Sequence, residues 1–279
     1  MNWRALFLTT TLLMVAFLTT PAFPADDSTT SKSVPHFPEQ NPSLGKRQPS
    51  QETRILKPFT ARYKADIKGL PFGGSGERSL QQNSDGSWTL SFRADAAFLG
   101  LKETSRFTLK DQSLVSEEYT YARTGIGGKP LRRARFDWKK KVVNWQQEDL
   151  NWSMDLPSGA IDNLGYQLQL RMDLTKGKKQ VFSYHIADDD EVYQREFIIE
   201  GNEVLDTDAG KLETVRIKVK RDTDKRATWI WLARNWDYFL VKLLQKEGGT
   251  EYTVEIQEAT VDGKPLTSKQ EPEKTKPTK

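Results

Sequence analysis

Cysteine is absent from this 279-residue chain, histidine occurs twice, and the one long apolar run lies at the N-terminus. Without cysteine no disulfide staples the fold and no acylated lipoprotein anchor can be attached, so stability has to come from core burial. His36 falls in a polar stretch and His185 stands alone between Tyr184 and Ile186. That scarcity argues against a Ser-His-Asp triad or a histidine-rich metal site, and we expect no metal, no cofactor and no catalytic residue. After Ala5–Leu18 no further apolar run approaches the roughly 20 residues a spanning helix needs. Charge of one sign is also scarce: 42 Lys and Arg against 38 Asp and Glu leave only +4, or +3 once Arg4 departs with a leader. Such a balance says little about partners.

What is present begins with the leader. Arg4, the apolar run and the small residues of Thr20-Pro21-Ala22 fit a signal peptide spanning residues 1–22, with cleavage after Ala25 as the alternative. The expected location is the periplasm, an uncleaved inner-membrane anchor being the second reading. Residues 23–56 are rich in Ser, Thr, Pro and Gln without periodicity and read as a disordered linker. Residues 267–279 read as a disordered tail, which leaves one β-rich domain at 57–266.

Within that domain, strict alternation is frequent. Phe59, Ala61, Tyr63, Ala65 and Ile67 alternate with polar residues, and Trp88, Leu90, Phe92 and Ala94 do so after an Asp85-Gly86 turn. About a dozen short strands follow from this pattern, and their short connections favour antiparallel pairing. One stretch is different. Ser158–Gly177 predicts a helix with Ser158 as N-cap and Gly177 as stop. It carries one apolar stripe of Ile161, Leu164, Gly165, Leu168 and Met172 and a second of Tyr166, Leu170 and Leu174. A helix apolar on two sides needs cover on both. The expected fold is therefore mostly β, a curved antiparallel sheet or half-barrel packed on one central helix.

The segments IDNLGYQLQLRMDL from Ile161, GNEVLDTDAGKLETVRIKVKR from Gly201, WIWLARNWDYFLVKL from Trp229 and FDWKKKVVNW from Phe136 resemble the bacterial exported proteins of the domain of unknown function 3108 family. The resemblance spans roughly Phe59 to Gly263, with DNLGYQLQLR its most specific part; Leu240 departs from it, where a proline is expected before Val241. It implies periplasmic residence and a fold similar to the half-barrels of lipoprotein carriers. It brings no catalytic residues.

Two groups of residues are candidates for binding. Trp229 and Trp231 alternate with Ile230 and Leu232, so both faces of that strand are apolar. With Leu164 and Leu168 of the helix and the nearby Tyr238, they form the expected lining of a groove for an apolar or amphipathic, lipid-like ligand. Arg133 and Arg135 on one strand face, with Lys139, Lys140 and Lys141 at the following turn, suit anionic headgroups rather than nucleic acid, which an exported protein seldom meets. Asp188-Asp189-Asp190-Glu191 matches no cation loop and reads as a solvated turn, and Gly73–Gly76 reads as a hairpin connection. The expected role is a non-enzymatic binding module of the envelope. An envelope glycan enzyme using distant carboxylates, and a structural protein docking to an envelope partner, are the other readings.

Overall fold

The computed structural model describes residues 56–267 except 69–72, 97–98, 126–127, 178 and 222–224. The expected leader, nearly all of the expected linker and the tail beyond 267 lie outside the described residues. The first half of the domain is a meander of β1 (Phe59–Ile67), β2 (Gly74–Gln82), β3 (Trp88–Ala96), β4 (Leu99–Lys110), β5 (Ser113–Gly125), β6 (Lys129–Asp137), β7 (Val142–Gln147) and β8 (Leu150–Asp155). A two-residue strand β9 (Ile161–Asp162) and helix α1 (Tyr166–Lys176) follow. The second half is β10 (Val181–Asp188), β11 (Glu191–Thr207), β12 (Gly210–Val219), β13 (Arg226–Ala233), a 3₁₀ turn at Arg234–Trp236, β14 (Phe239–Glu247), β15 (Thr250–Val261) and the short β16 (Lys264–Pro265).

All sixteen strands belong to one sheet, ordered β8-β7-β6-β5-β4-β3-β2-β1-β15-β14-β13-β12-β11-β10-β9, with β16 pairing β15. The first meander thus runs outward from the middle to one edge. Between β8 and β9 the chain passes to the opposite edge, and after α1 it meanders back until β15 pairs antiparallel with β1. The sheet does not close on itself, and it is antiparallel everywhere but at β9, which pairs parallel with β10 through Ile186–Ile161 and Ala187–Asp162. A parallel pair needs a crossover connection, and α1 is that crossover. The helix returns the chain from the end of β9 to the start of the neighbouring β10 and packs its buried residues against the sheet on the way.

Burial follows the alternation. In β1, Phe59, Ala61, Tyr63 and Ala65 are buried while Thr60, Arg62 and Asp66 are exposed. On α1 both apolar stripes are covered, since Leu168 and Met172 from one and Tyr166, Leu170 and Leu174 from the other are all buried. The polar edge between them is satisfied by the sheet. Gln169 Oε1 accepts from the backbone N–H of Leu114 at 2.8 Å, and Asp173 Oδ2 accepts from the Tyr184 hydroxyl at 2.9 Å.

The structure departs from the sequence reading in three places. The helix starts at Tyr166, not after Ser158, and its N-cap is Gly165 without a side-chain cap. The cause is Asp162, whose Oδ1 accepts from the backbone N–H groups of Leu164 (3.0 Å) and Gly165 (2.7 Å) and holds them in a turn. Gly74–Gly76 belongs to β2 rather than to a hairpin connection, and the described residues form sixteen strands where about a dozen were expected. Gly74 is needed there for space, because a Cβ would stand 2.9 Å from both Ala96 Cβ and the Asp95 carbonyl oxygen.

Candidate functional site

Between α1 and the central strands lies an open-mouthed hollow. Its walls are Phe59, Leu170, Ile230, Leu232, Phe239, Leu240 and Leu243, and its polar groups are Tyr63, Arg78, Tyr166, Gln167 and Arg171. It encloses about 450 Å³ of space free of atoms, its solvent-open part included, but it is so narrow that the centre of a water molecule can range over only about 20 Å³. That is room for about one water. No carboxylate lines it.

The polar groups reach this position for different reasons. Arg78 stands at an inward position of β2, opposite Ala61 of β1 and Phe92 of β3, and is only 6% exposed. Its Nε has no hydrogen-bond partner among the described residues. Tyr63 donates its hydroxyl to the Leu240 carbonyl at 3.0 Å, and burial raises its pKa to about 12. Arg171, half-buried on the helix, roofs the hollow. Its guanidinium carbon lies 5.0 Å from the Phe239 ring centroid and 5.6 Å from that of Phe59, and its Nε donates to the Asp237 carbonyl at 3.2 Å. Burial, and then the neighbouring charge of Arg78, lower the Arg171 pKa to about 10.

Two buried carboxylates lie outside the lining of the hollow. Glu103 on β4 is 4% exposed and accepts from the Tyr119 hydroxyl at 3.1 Å. Burial drives its pKa from 4.5 to about 8. Asp162 is fully buried and ties β9 to the far meander, with its Oδ2 accepting from the hydroxyls of Ser105 on β4 (2.7 Å) and Ser116 on β5 (2.5 Å). Burial raises its pKa, against the four hydrogen bonds that lower it. Gly165 is bound into the same knot. Its φ of −63° suits any residue, but a Cβ would lie 2.8 Å from Asp162 Oδ2 and 3.2 Å from both Ser105 Oγ and Leu114 Cδ2. Gly165→Ala is accordingly expected to cost about 1–3 kcal/mol, as overpacking of a filled core does, and a denaturant midpoint measurement checks it.

The residues singled out in the sequence are not gathered at this hollow. Leu164 and Leu168 are core residues, 2% and 0% exposed, and Tyr238 is half-buried against the core. Trp229 and Trp231 point to the other face of β13. Trp229 Nε1 donates to Glu200 at 3.1 Å, Trp231 Nε1 donates to Glu203, and Lys242 Nζ lies 5.8 Å from the Trp231 ring centroid. Their neighbours in sequence, Ile230 and Leu232, are the residues that face the hollow. Arg133 and Arg135 share Glu118, at 3.5 and 3.3 Å, and Lys139 and Lys140 donate backbone N–H groups to Asp137 at the β6–β7 turn. Lys141 takes φ +58° there. Arg78 and Arg171, which the reading missed, carried one usable signal: Arg78 alternates with Gly76 and Leu80, both inward-facing.

The family model described as "Protein of unknown function (DUF3108)" matches residues 59–257, which takes in the hollow, the helix and every strand but the end of β15 and the short β16. The chain belongs to the DUF3108 family. No curated protein sequence matches it. Among solved structures, the DUF3108 domain is similar to a β-barrel-like protein of domain of unknown function DUF1849 from Brucella abortus, at 10% identity over 74% of this chain and 98% of that one, with a TM-score of 0.52. Looser matches are LprF from Mycobacterium bovis, 12% identical over 76% and 89% of the two chains with a TM-score of 0.26, and the Pseudomonas aeruginosa MucA/MucB complex, 9% identical over 73% and 89% with a TM-score of 0.16. The first shows a shared fold. Neither of the looser two bears on function.

Proposed function

We propose that this DUF3108 domain is a non-enzymatic binding module of the cell envelope, exported by its N-terminal leader, and that it takes an amphipathic ligand into the hollow between α1 and strands β1, β2, β13 and β14. The observation that carries this reading is the hollow itself, where apolar side chains from helix and sheet converge on a few buried polar groups, as ligand sites do. Its narrowness means that entry requires the two half-buried helix side chains at the mouth, Gln167 and Arg171, to swing aside. The glycan-enzyme reading finds no support at this place, since a hydrolytic carboxylate pair needs two acids facing the substrate and none lines the hollow.

Dodecyl-chain amphiphiles, titrated below their micelle concentration and followed by native mass spectrometry and calorimetry, test the proposal. One-to-one binding is expected, weakened at least tenfold by Leu170→Phe, which fills the hollow, in a variant whose circular dichroism shows the native sheet. Binding that is absent, or unaffected by Leu170→Phe, rules the site out.

A further inference from the structure

We infer that the polar end of the ligand is a single carboxylate, held between the guanidinium groups of Arg78 and Arg171. This rests on the reading of the hollow as an amphiphile site and adds the chemistry of the head. Arg78 is nine-tenths buried, its Nε faces no acceptor, and neither arginine forms an ion pair among the described residues. A buried charge without a partner is costly, and packing alone would be better served by an apolar side chain of the same length. The surroundings offset the two charges only in part, through the Phe59 and Phe239 rings and the Asp237 carbonyl at Arg171. Glu103, the acid whose field reaches Arg78, is held largely protonated at neutral pH by its burial. Asp237, the acid whose field reaches Arg171, already pairs with Lys57 at 3.1 Å. The hydroxyl of Tyr63 is committed to the Leu240 carbonyl.

The hollow therefore presents two cations, no anion and apolar walls. Guanidinium groups bind carboxylates and phosphates through paired N–H donors. The water-sized free space favours a flat, singly charged carboxylate over a bulkier phosphate. A fatty carboxylate supplies such a head, and its chain would lie along Leu170, Ile230 and Leu243 once the side chains at the hollow open.

The test compares dodecanoate, dodecyl phosphate, dodecanol and dodecyltrimethylammonium on the wild-type chain and on Arg78→Met and Arg171→Met. The expected result is dodecanoate binding at least tenfold tighter than dodecanol or the phosphate, and no binding of the cation. Each substitution should abolish the preference, so that the variant binds dodecanoate no tighter than it binds dodecanol, and Arg78→Met should melt higher than wild type without ligand. Should one variant fail to fold, the other carries the comparison. Equal binding of dodecanoate and dodecanol to wild type would overturn the carboxylate head and leave the amphiphile site standing. Tighter binding of the phosphate would overturn the choice of head, and no binding of any chain would overturn both readings.

Discussion

Asp162→Ala is expected to lower the melting temperature of the domain by roughly 6–20 °C. The carboxylate accepts four hydrogen bonds, from Ser105 Oγ, Ser116 Oγ and the backbone N–H groups of Leu164 and Gly165, all of them buried. Truncation leaves these four donors without an acceptor and out of reach of water. Leaving buried partners of a charged group unsatisfied costs about 3–5 kcal/mol, and in a domain of this size each kcal/mol is worth about 2–4 °C. The loss should also be cooperative with the helix, because the same carboxylate fixes the turn from which α1 starts. Asp162→Asn, which keeps the shape and one acceptor, should recover part of the loss. A thermal melt of the three proteins checks this, and an alanine variant within 2 °C of wild type would show that the knot does not hold the crossover in place.

Glu103→Gln is expected to stabilise the domain, and increasingly so as pH rises. Burial lifts the Glu103 pKa from 4.5 to about 8 in the folded state, with the Tyr119 hydroxyl and Arg78 pulling it down and Asp188 and Asp162 pushing it up. The folded chain therefore keeps a proton that the unfolded chain releases. Between about pH 4.5 and 8 the folded state binds more protons, so this group's contribution to stability is fully present below pH 4.5, falls as pH rises and levels off above 8. The shift corresponds to up to about 5 kcal/mol at pH 8. Glutamine has no proton to lose and keeps an acceptor for Tyr119. Melting curves of both proteins at pH 5 and pH 8.5 should show a small difference at the lower pH and a gap of several degrees at the higher one. Parallel curves would mean that Glu103 titrates as an exposed carboxylate does.

Much of this architecture is legible in the sequence, and what is not has identifiable causes. The alternation of β1 and β3 reads directly because their inward residues are apolar. In β2 the same period is masked, since an inward Arg78 between Gly76 and Leu80 looks like an outward polar residue beside a flexible glycine. The feature that hides the strand is the feature that makes the hollow a candidate site. Ile161 and Leu164 fit the helical period and are buried as expected, yet they precede the helix, because hydrogen bonds to Asp162 and pairing with Ile186 outweigh local propensity. The strand from Arg226 to Ala233 was readable as apolar on both faces, but periodicity does not say which face meets the helix. The answer lies in distant residues, Glu200, Glu203 and Lys242, which give Trp229 and Trp231 polar partners on the far side of the sheet.

The location of the ligand is the centre of this account, and isotope-edited NMR of the domain with ¹³C-labelled methyl groups and protonated dodecanoate tests it most directly. The account predicts nuclear Overhauser contacts from the alkyl chain to the methyl groups of Leu170, Ile230 and Leu243, which line the hollow, with none to Val204 on the exposed part of β11. Contacts confined to the outer face of the sheet, around Trp229 and Trp231, or no contacts at saturating dodecanoate, would contradict it.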